Sequence, residues 1–248
     1  YGMSFNPSYY ASLLTNYGFE NYYNQFYYRK NLLNPLPARF EERYHKFKSK
    51  PDYTAVHLDK KHLEKYAQDF VTIYNSAWAQ HGEEKAITLP QIIKLFNSLK
   101  AVMDERVIWF AYYKQEPIAM FINIPDVNQY FKYFNGNLGL WQKLHLLWMK
   151  WTGQNNKLTG LAFGVVPKYQ ALGIDSFLIN SCHILLNKIK LYDEYEMGWA
   201  GDWNPKMVNI YKSLDANPSR RMVTFRYIFD AKSHPFERHP IMEYKTGG

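Results

Sequence analysis

The 248 residues contain a single cysteine, Cys182, so the chain can form no internal disulfide and no paired-cysteine metal site. A reducing, cytoplasmic setting fits such usage best. No run of about 18 apolar residues occurs, which excludes the usual signature of a membrane-spanning helix. No secretory signal pattern is visible either. His57, His62, His81, His145 and His183 are scattered without ligand spacing, so no metal is expected. Cys182 has apolar neighbours within a helical pattern and reads as core rather than nucleophile. The chain starts at Tyr1, inside an already patterned segment, and reads as a piece of a longer or processed protein.

What is present is ordinary in bulk and unusual in detail. Hydrophobic residues make up 47% and charged residues 21%, as in a globular protein with a core. Aromatics reach 18%, largely from 22 tyrosines, so many rings must lie at surfaces, grooves or a domain interface. The formal charge of +8 favours an anionic partner, without separating a CoA-type cofactor from RNA or a membrane surface.

The pattern along the chain predicts a helix over Asn6 to Leu14, a turn at Gly18 and a strand at Asn24 to Lys30. A proline-broken connector and a short basic helix run to Pro51. A strand at Tyr53 to Leu58 opens a fresh unit, followed by a helix from Leu63 to about Ala79. Thr88 can cap the next helix, with Pro90 in its first turn. "VIWFAYY" and "PIAMFINI" read as a hairpin, and Asp126 to Trp151 as a helix broken at Asn135-Gly136-Asn137. In its second piece Leu140, Trp141, Leu144, Leu147, Trp148 and Trp151 recur at helical spacing, a stripe expected in the core or at a domain interface. Then come a strand (Leu158 to Val166), a loop, a helix (Ile174 to about Lys190), a strand (Glu194 to Ala200), a helix (Pro205 to Leu214) and a strand (Met222 to Phe229). This is a mixed α/β architecture with a mixed sheet. The segment from Asn6 loosely echoes that from Asn204: Asn-Pro, a helix, a break, an aromatic strand.

The loop "VPKYQALGIDSFL" (Val166 to Leu178) joins an apolar strand to an apolar helix. A helix N-terminus offers unpaired amides and the positive end of a dipole to an anion. Gly173 allows close backbone approach, and the Gln170 side-chain amide can donate. A plain β-α turn with Asp175 as the helix N-cap fits the same residues.

This stretch resembles motif A of the GNAT superfamily of acyl-CoA N-acyltransferases, V-x-P-x-Y/F-R/Q-x-x-G-x-G/A-x-x-L. Val165, Pro167, Tyr169, Gln170, Gly173 and Leu178 fill its places. Asn204 and Tyr211 resemble the superfamily's N-x-x-A-x-x-x-Y segment, and "YYKQEPIAMF" its β-hairpin. The chain as a whole is similar to tandem GNAT-like bacterial proteins known mainly as predicted acetyltransferases. The resemblance implies residues 53–229 as a GNAT-like acyltransferase domain. Residues 1–35 would close a first repeat, 36–52 would link the two, and 230–248 would form a tail.

For the site, the resemblance implies that Val165 and Val166 pair through their backbone with the pantetheine arm. Gln170 and the amides of Ala171, Leu172, Gly173 and Ile174 would cradle the pyrophosphate. Asn204 would hold the splayed strand and the cofactor. Tyr211 would protonate the departing thiolate, a task for a phenol whose pKa near 10 neighbours can lower. Glu196 and Asp202 are the candidates for taking the amine proton. Asp175 departs from the pattern by replacing the small residue beside the pyrophosphate. At roughly 5 Å each pair of unit charges costs about 1 to 3 kcal/mol, or one to two powers of ten in affinity, about 1.4 kcal/mol per power.

The expected function is transfer of an acyl group, acetyl in the first instance, from acetyl-CoA or another acyl-CoA to a small-molecule or peptide amine. No metal, no DNA and no membrane span are expected, and a homodimer stays open. A degenerate, non-catalytic GNAT-like module and an aminoacyl-tRNA-dependent transferase are the alternatives.

Overall fold

A computed structural model describes residues 6–78, 86–230, 232 and 234–242. "WAQHGEE" from Ala79 onward, with His81, and much of the tail lie outside the described residues. In chain order the elements are α1 (Tyr9–Tyr17), β1 (Glu20–Asn31), α2 (Ala38–Lys48), β2 (Tyr53–His57), α3 (Leu63–Trp78) and α4 (Leu89–Leu99). Next come β3 (Ile108–Tyr113), β4 (Glu116–Pro125), α5 (Asn128–Phe131), α6 (Leu140–Trp151) and β5 (Lys157–Val165). The chain continues through α7 (Ile174–Ile189), β6 (Glu194–Glu196), β7 (Ala200–Gly201), α8 (Pro205–Ser213) and β8 (Asn217–Arg226). It divides into a larger unit, Asn31–Glu196, and a smaller one made of Tyr1–Lys30 and Met197–Gly248.

In the larger unit the sheet order is β2-β3-β4-β5-β6. The first four strands are antiparallel neighbours, and β6 joins β5 in parallel. The β3–β4 hairpin turns through Lys114 and Gln115, both at positive φ, as a tight two-residue turn requires. Thr88 and Gln91 form the capping box that starts α4, with Pro90 in the first turn. Ile92 and Phe96 of α4 and Phe70 and Ile73 of α3 enter the core alongside Phe110, Ala119 and Met120 of the central strands.

The short basic helix expected before Pro51 is present as α2, while the apolar stripe of α6 departs from the expectation. α2 is packed structure, since its Phe40 and Phe47 are buried and Phe47 meets Phe177 of α7 at 5.8 Å between ring centroids. The α6 stripe is not core. Leu140, Trp141, Leu144, Leu147, Trp148 and Trp151 are all exposed. The helix is anchored instead by Leu146 and Met149, which cluster with Tyr130 and Phe134. α6 lies in the connection between β4 and β5, and its Leu146/Met149 edge is the part of it that is buried.

In the smaller unit β1 pairs antiparallel with both β7 and β8. The sequence echo corresponds to α1–β1 and α8–β8, two helix-strand segments whose strands run against each other, Glu20 opposite Arg226 and Arg29 opposite Asn217. Gly18 ends α1 at φ 104°, a conformation that spares glycine the Cβ penalty. The strand expected from Glu194 to Ala200 is interrupted, leaving the short pieces β6 and β7.

Candidate functional site

β5 and β6 share only a short parallel ladder, Lys157–Thr159 against Glu194–Glu196. Beyond Thr159 β5 keeps β4 on one edge and, among the described residues, has no strand on the other. The separation coincides with a bulge. Ile122 faces Ala162 and Asn123 faces Gly160, which leaves Leu161 as the extra residue. Val166 N–H donates to the Ile118 carbonyl at 2.9 Å. Strand alternation therefore turns the Val165 N–H and C=O toward the open edge. Val166 is committed to β4, so only Val165 of the pair presents its backbone there.

The open edge leads into the loop. Pro167–Tyr169 forms a single 3-10 turn that buries Tyr169. Gln170 Nε2 donates to the Val165 carbonyl at 3.0 Å, so this amide ties the loop to the strand end. Ala171 at φ 60° and Gly173 at φ 98° then fold the backbone through two left-handed residues into the start of α7. Successive amides in such a turn face one concavity that suits an anion. The N-cap is Gly173, without a side-chain cap bond, and Asp175 lies one residue inside the helix. The reading of Asp175 as N-cap is thus corrected: a carboxylate in the first turn complements the helix dipole, yet it stands where an anion would also sit.

Sequence reasoning missed Arg43. α2 lays it across the loop, so that a Cβ on Gly173 would come within 3.1 Å of Arg43 Cδ. Its Nη1 donates to Ser176 Oγ at 3.3 Å. A guanidinium therefore lies beside the first turn of α7. No local signal could reveal it, because it arrives from a helix some 130 residues upstream, as the Arg43–Ser176 separation of 133 shows.

Glu196 is buried and ion-paired with Lys157, whose Nζ also lies 3.7 Å from Asp126. Cys182, buried within α7, has its thiol pushed up by burial and behaves as core. Among the described residues no cluster of His, Cys, Asp or Glu suits a metal. A separate polar cavity of about 300 Å³ is lined by Lys60, Asp104, Arg106, Tyr130, Lys150 and Tyr192, among others. Burial works against the Asp104 charge, but hydrogen bonds from Arg106 and Tyr192 outweigh it and hold the carboxyl below its ordinary range.

The smaller unit carries the other candidates. Tyr211 is buried on α8, and its hydroxyl donates to the Gly198 carbonyl at 2.8 Å. Burial pushes its pKa up. Asn204 caps α8, accepting from the Met207 N–H at 3.0 Å. Asp202 accepts from Asn24 Nδ2 at 2.7 Å and from Arg238 at 2.6 Å. Burial raises its pKa, but these bonds prevail and keep it ionised.

No family model matches the chain. It is 25% identical over 162 residues to the bacterial ceramide synthase of Caulobacter vibrioides, covering 63% of this chain and 42% of that protein. A solved GCN5-related N-acetyltransferase from Sphaerobacter thermophilus superposes with a TM-score of 0.56 at 12% identity, over 88% of this chain and 56% of that one. A tandem GNAT protein from the clavulanic acid biosynthesis pathway gives 0.53 at 12% identity, over 90% and 59%. The chain thus spans less than two thirds of each of these proteins. Its fold is the GNAT fold, on a mixed α/β plan with a mixed sheet.

Proposed function

We propose that the chain is an acyl-CoA-dependent N-acyltransferase. The observation that carries this reading is the departure of β5 from β6 after Thr159, which opens a strand edge leading straight into the Gln170–Ile174 loop. The Val165 N–H is the backbone donor for the pantetheine arm. The amides of Ala171 to Ile174, with Arg43, receive the pyrophosphate. An amine attacks the thioester carbonyl carbon, a C–N bond forms, and the C–S bond breaks with its electron pair going to sulfur. The amine gives up its proton through water and the departing thiolate takes one up; Glu196 and Asp202 are the candidate acceptors and Tyr211, which burial keeps protonated, the candidate donor. The products are an amide and free CoA.

Acetyl-CoA is the simplest donor. The likeness to a ceramide synthase favours a longer acyl chain and a long-chain amine as acceptor.

Calorimetric titration of acetyl-CoA and of a long-chain acyl-CoA tests the reading, followed by amide formation on short and long amines. The expected result is micromolar binding that Arg43→Gln weakens, and Asp175→Asn tightens, by about tenfold each, or about 1.4 kcal/mol. Tyr211→Phe should bind normally and turn over about a hundredfold more slowly. If neither acyl-CoA binds, the reading is lost in favour of a non-catalytic module. Salt-sensitive tRNA retention in its place would point to the aminoacyl-tRNA alternative.

A further inference from the structure

On α6 the residues facing water are the apolar ones. At 3.6 residues per turn, Leu140, Trp141, Leu144, Leu147, Trp148 and Trp151 fall within an arc of about 120°. Trp141 is 80% and Trp151 85% exposed. The opposite side, through Leu146 and Met149, fixes the helix to the protein. Just before it, Tyr133 and Leu138 extend the exposed apolar surface. A water-facing helix would ordinarily reverse this pattern, and a contiguous apolar patch marks an interaction site.

The charges identify the partner. From Val127 to Asn156 the chain has no Asp or Glu, while Lys132, Lys143 and Lys150 are present. Lys143 is exposed on one flank of the apolar arc. Lys132 is exposed and lies 4.9 Å from the Tyr133 ring centroid, covering an interfacial aromatic. Tryptophan and tyrosine favour the boundary between headgroup and acyl chain, and lysines beside them favour anionic headgroups. Twelve residues make a helix of about 18 Å, too short to cross a hydrocarbon core of about 30 Å. No helix among the described residues is long and apolar enough to cross a membrane. A helix of this kind lies in the plane of the interface.

We propose that α6 docks the protein onto an anionic phospholipid bilayer, with Trp141, Trp148 and Trp151 entering the interface and Lys132 and Lys143 at the headgroups. This inference rests on the surface of α6 and does not depend on the acyltransferase reading. A protein partner covering the same face would need shape complementarity and would show as a change of oligomeric state. A bilayer needs only the apolar arc and the positive rim.

Flotation with vesicles of phosphatidylcholine alone, and of phosphatidylcholine and phosphatidylglycerol in equal parts, decides the matter. Tryptophan quenching by bromine-labelled lipid is read in parallel. The protein should float with the mixed vesicles, release at high salt, and show quenched emission. The triple variant Trp141→Gln/Trp148→Gln/Trp151→Gln removes only exposed rings, so its circular dichroism should be unchanged while its vesicle affinity falls at least about tenfold. Lys143→Glu should weaken binding to the mixed vesicles alone. Absence of flotation, or a triple variant that floats as well as the parent, overturns the proposal. So does a parent that is dimeric where the triple variant is monomeric, which would assign the face to a second copy.

Discussion

α7 buries Ile174, Phe177, Leu178, Cys182 and Leu186, whereas α6, no less apolar, buries only Leu146 and Met149. α7 is enclosed by the sheet and by α2, so even its polar residues are taken inside. Asn180 reaches the Phe40 carbonyl at 3.4 Å, and His183 Nε2 meets Asn187 at 3.0 Å. α6 packs Leu146 and Met149 against Tyr130 and Phe134, and its apolar arc is left exposed. Helical periodicity of apolar residues therefore reports that a face avoids water, not whether protein or something else receives it.

The largest effect should come from emptying the enclosed helix. Leu178 is fully buried, so Leu178→Ala should cost about 2–5 kcal/mol in chemical unfolding. A much smaller loss would mean that α7 is less tightly enclosed than its burial indicates.

A middle effect is expected at the polar cavity, which both helices approach through Lys150 of α6 and Tyr192, which follows α7. Asp104 there accepts from Tyr192 at 2.8 Å and from Arg106 at 2.7 Å. Its folded pKa is depressed, so it stabilises the native state above its unfolded value near 4, and that stability is lost as pH falls through the folded pKa. Asp104→Asn should therefore cost about 1–3 kcal/mol near neutral pH. The gap to the parent should close in unfolding curves recorded at progressively lower pH. A gap that persists in acid would show that packing, not charge, is at work.

The smallest effect belongs to the exposed helix. Trp148→Ala should change stability by no more than about 0.5 kcal/mol, measured in detergent-free buffer. A loss as large as that of Leu178→Ala would break the comparison outright.

Much of the fold was legible because local chemistry decides it. Thr88 with Gln91 announces α4, and Gly18 the end of α1. The apolar runs on either side of Lys114-Gln115 mark a hairpin, and the Val165-to-Leu178 motif marks a strand, a turn and a helix. The candidate loop could be located. Its cap could not, since Gly173 rather than Asp175 takes that place once Ala171 and Gly173 both turn left-handed. The carboxylates were visible only as residue types. That Lys157 holds Glu196, and that Arg238 and Asn24 hold Asp202, depends on strands brought together from distant sequence.

By itself the sequence determined the order of most helices and strands and the strand-turn-helix at Val165 to Leu178. These depend on neighbours a few positions apart, through backbone preferences, caps and periodicity. The tertiary structure alone decided that β5 parts from β6 after Thr159, that Arg43 lies across the loop, that burial keeps the Tyr211 proton in place, and that the α6 stripe faces outward. Each of these is a matter of what lies across space from a residue, and that is set by how the elements pack.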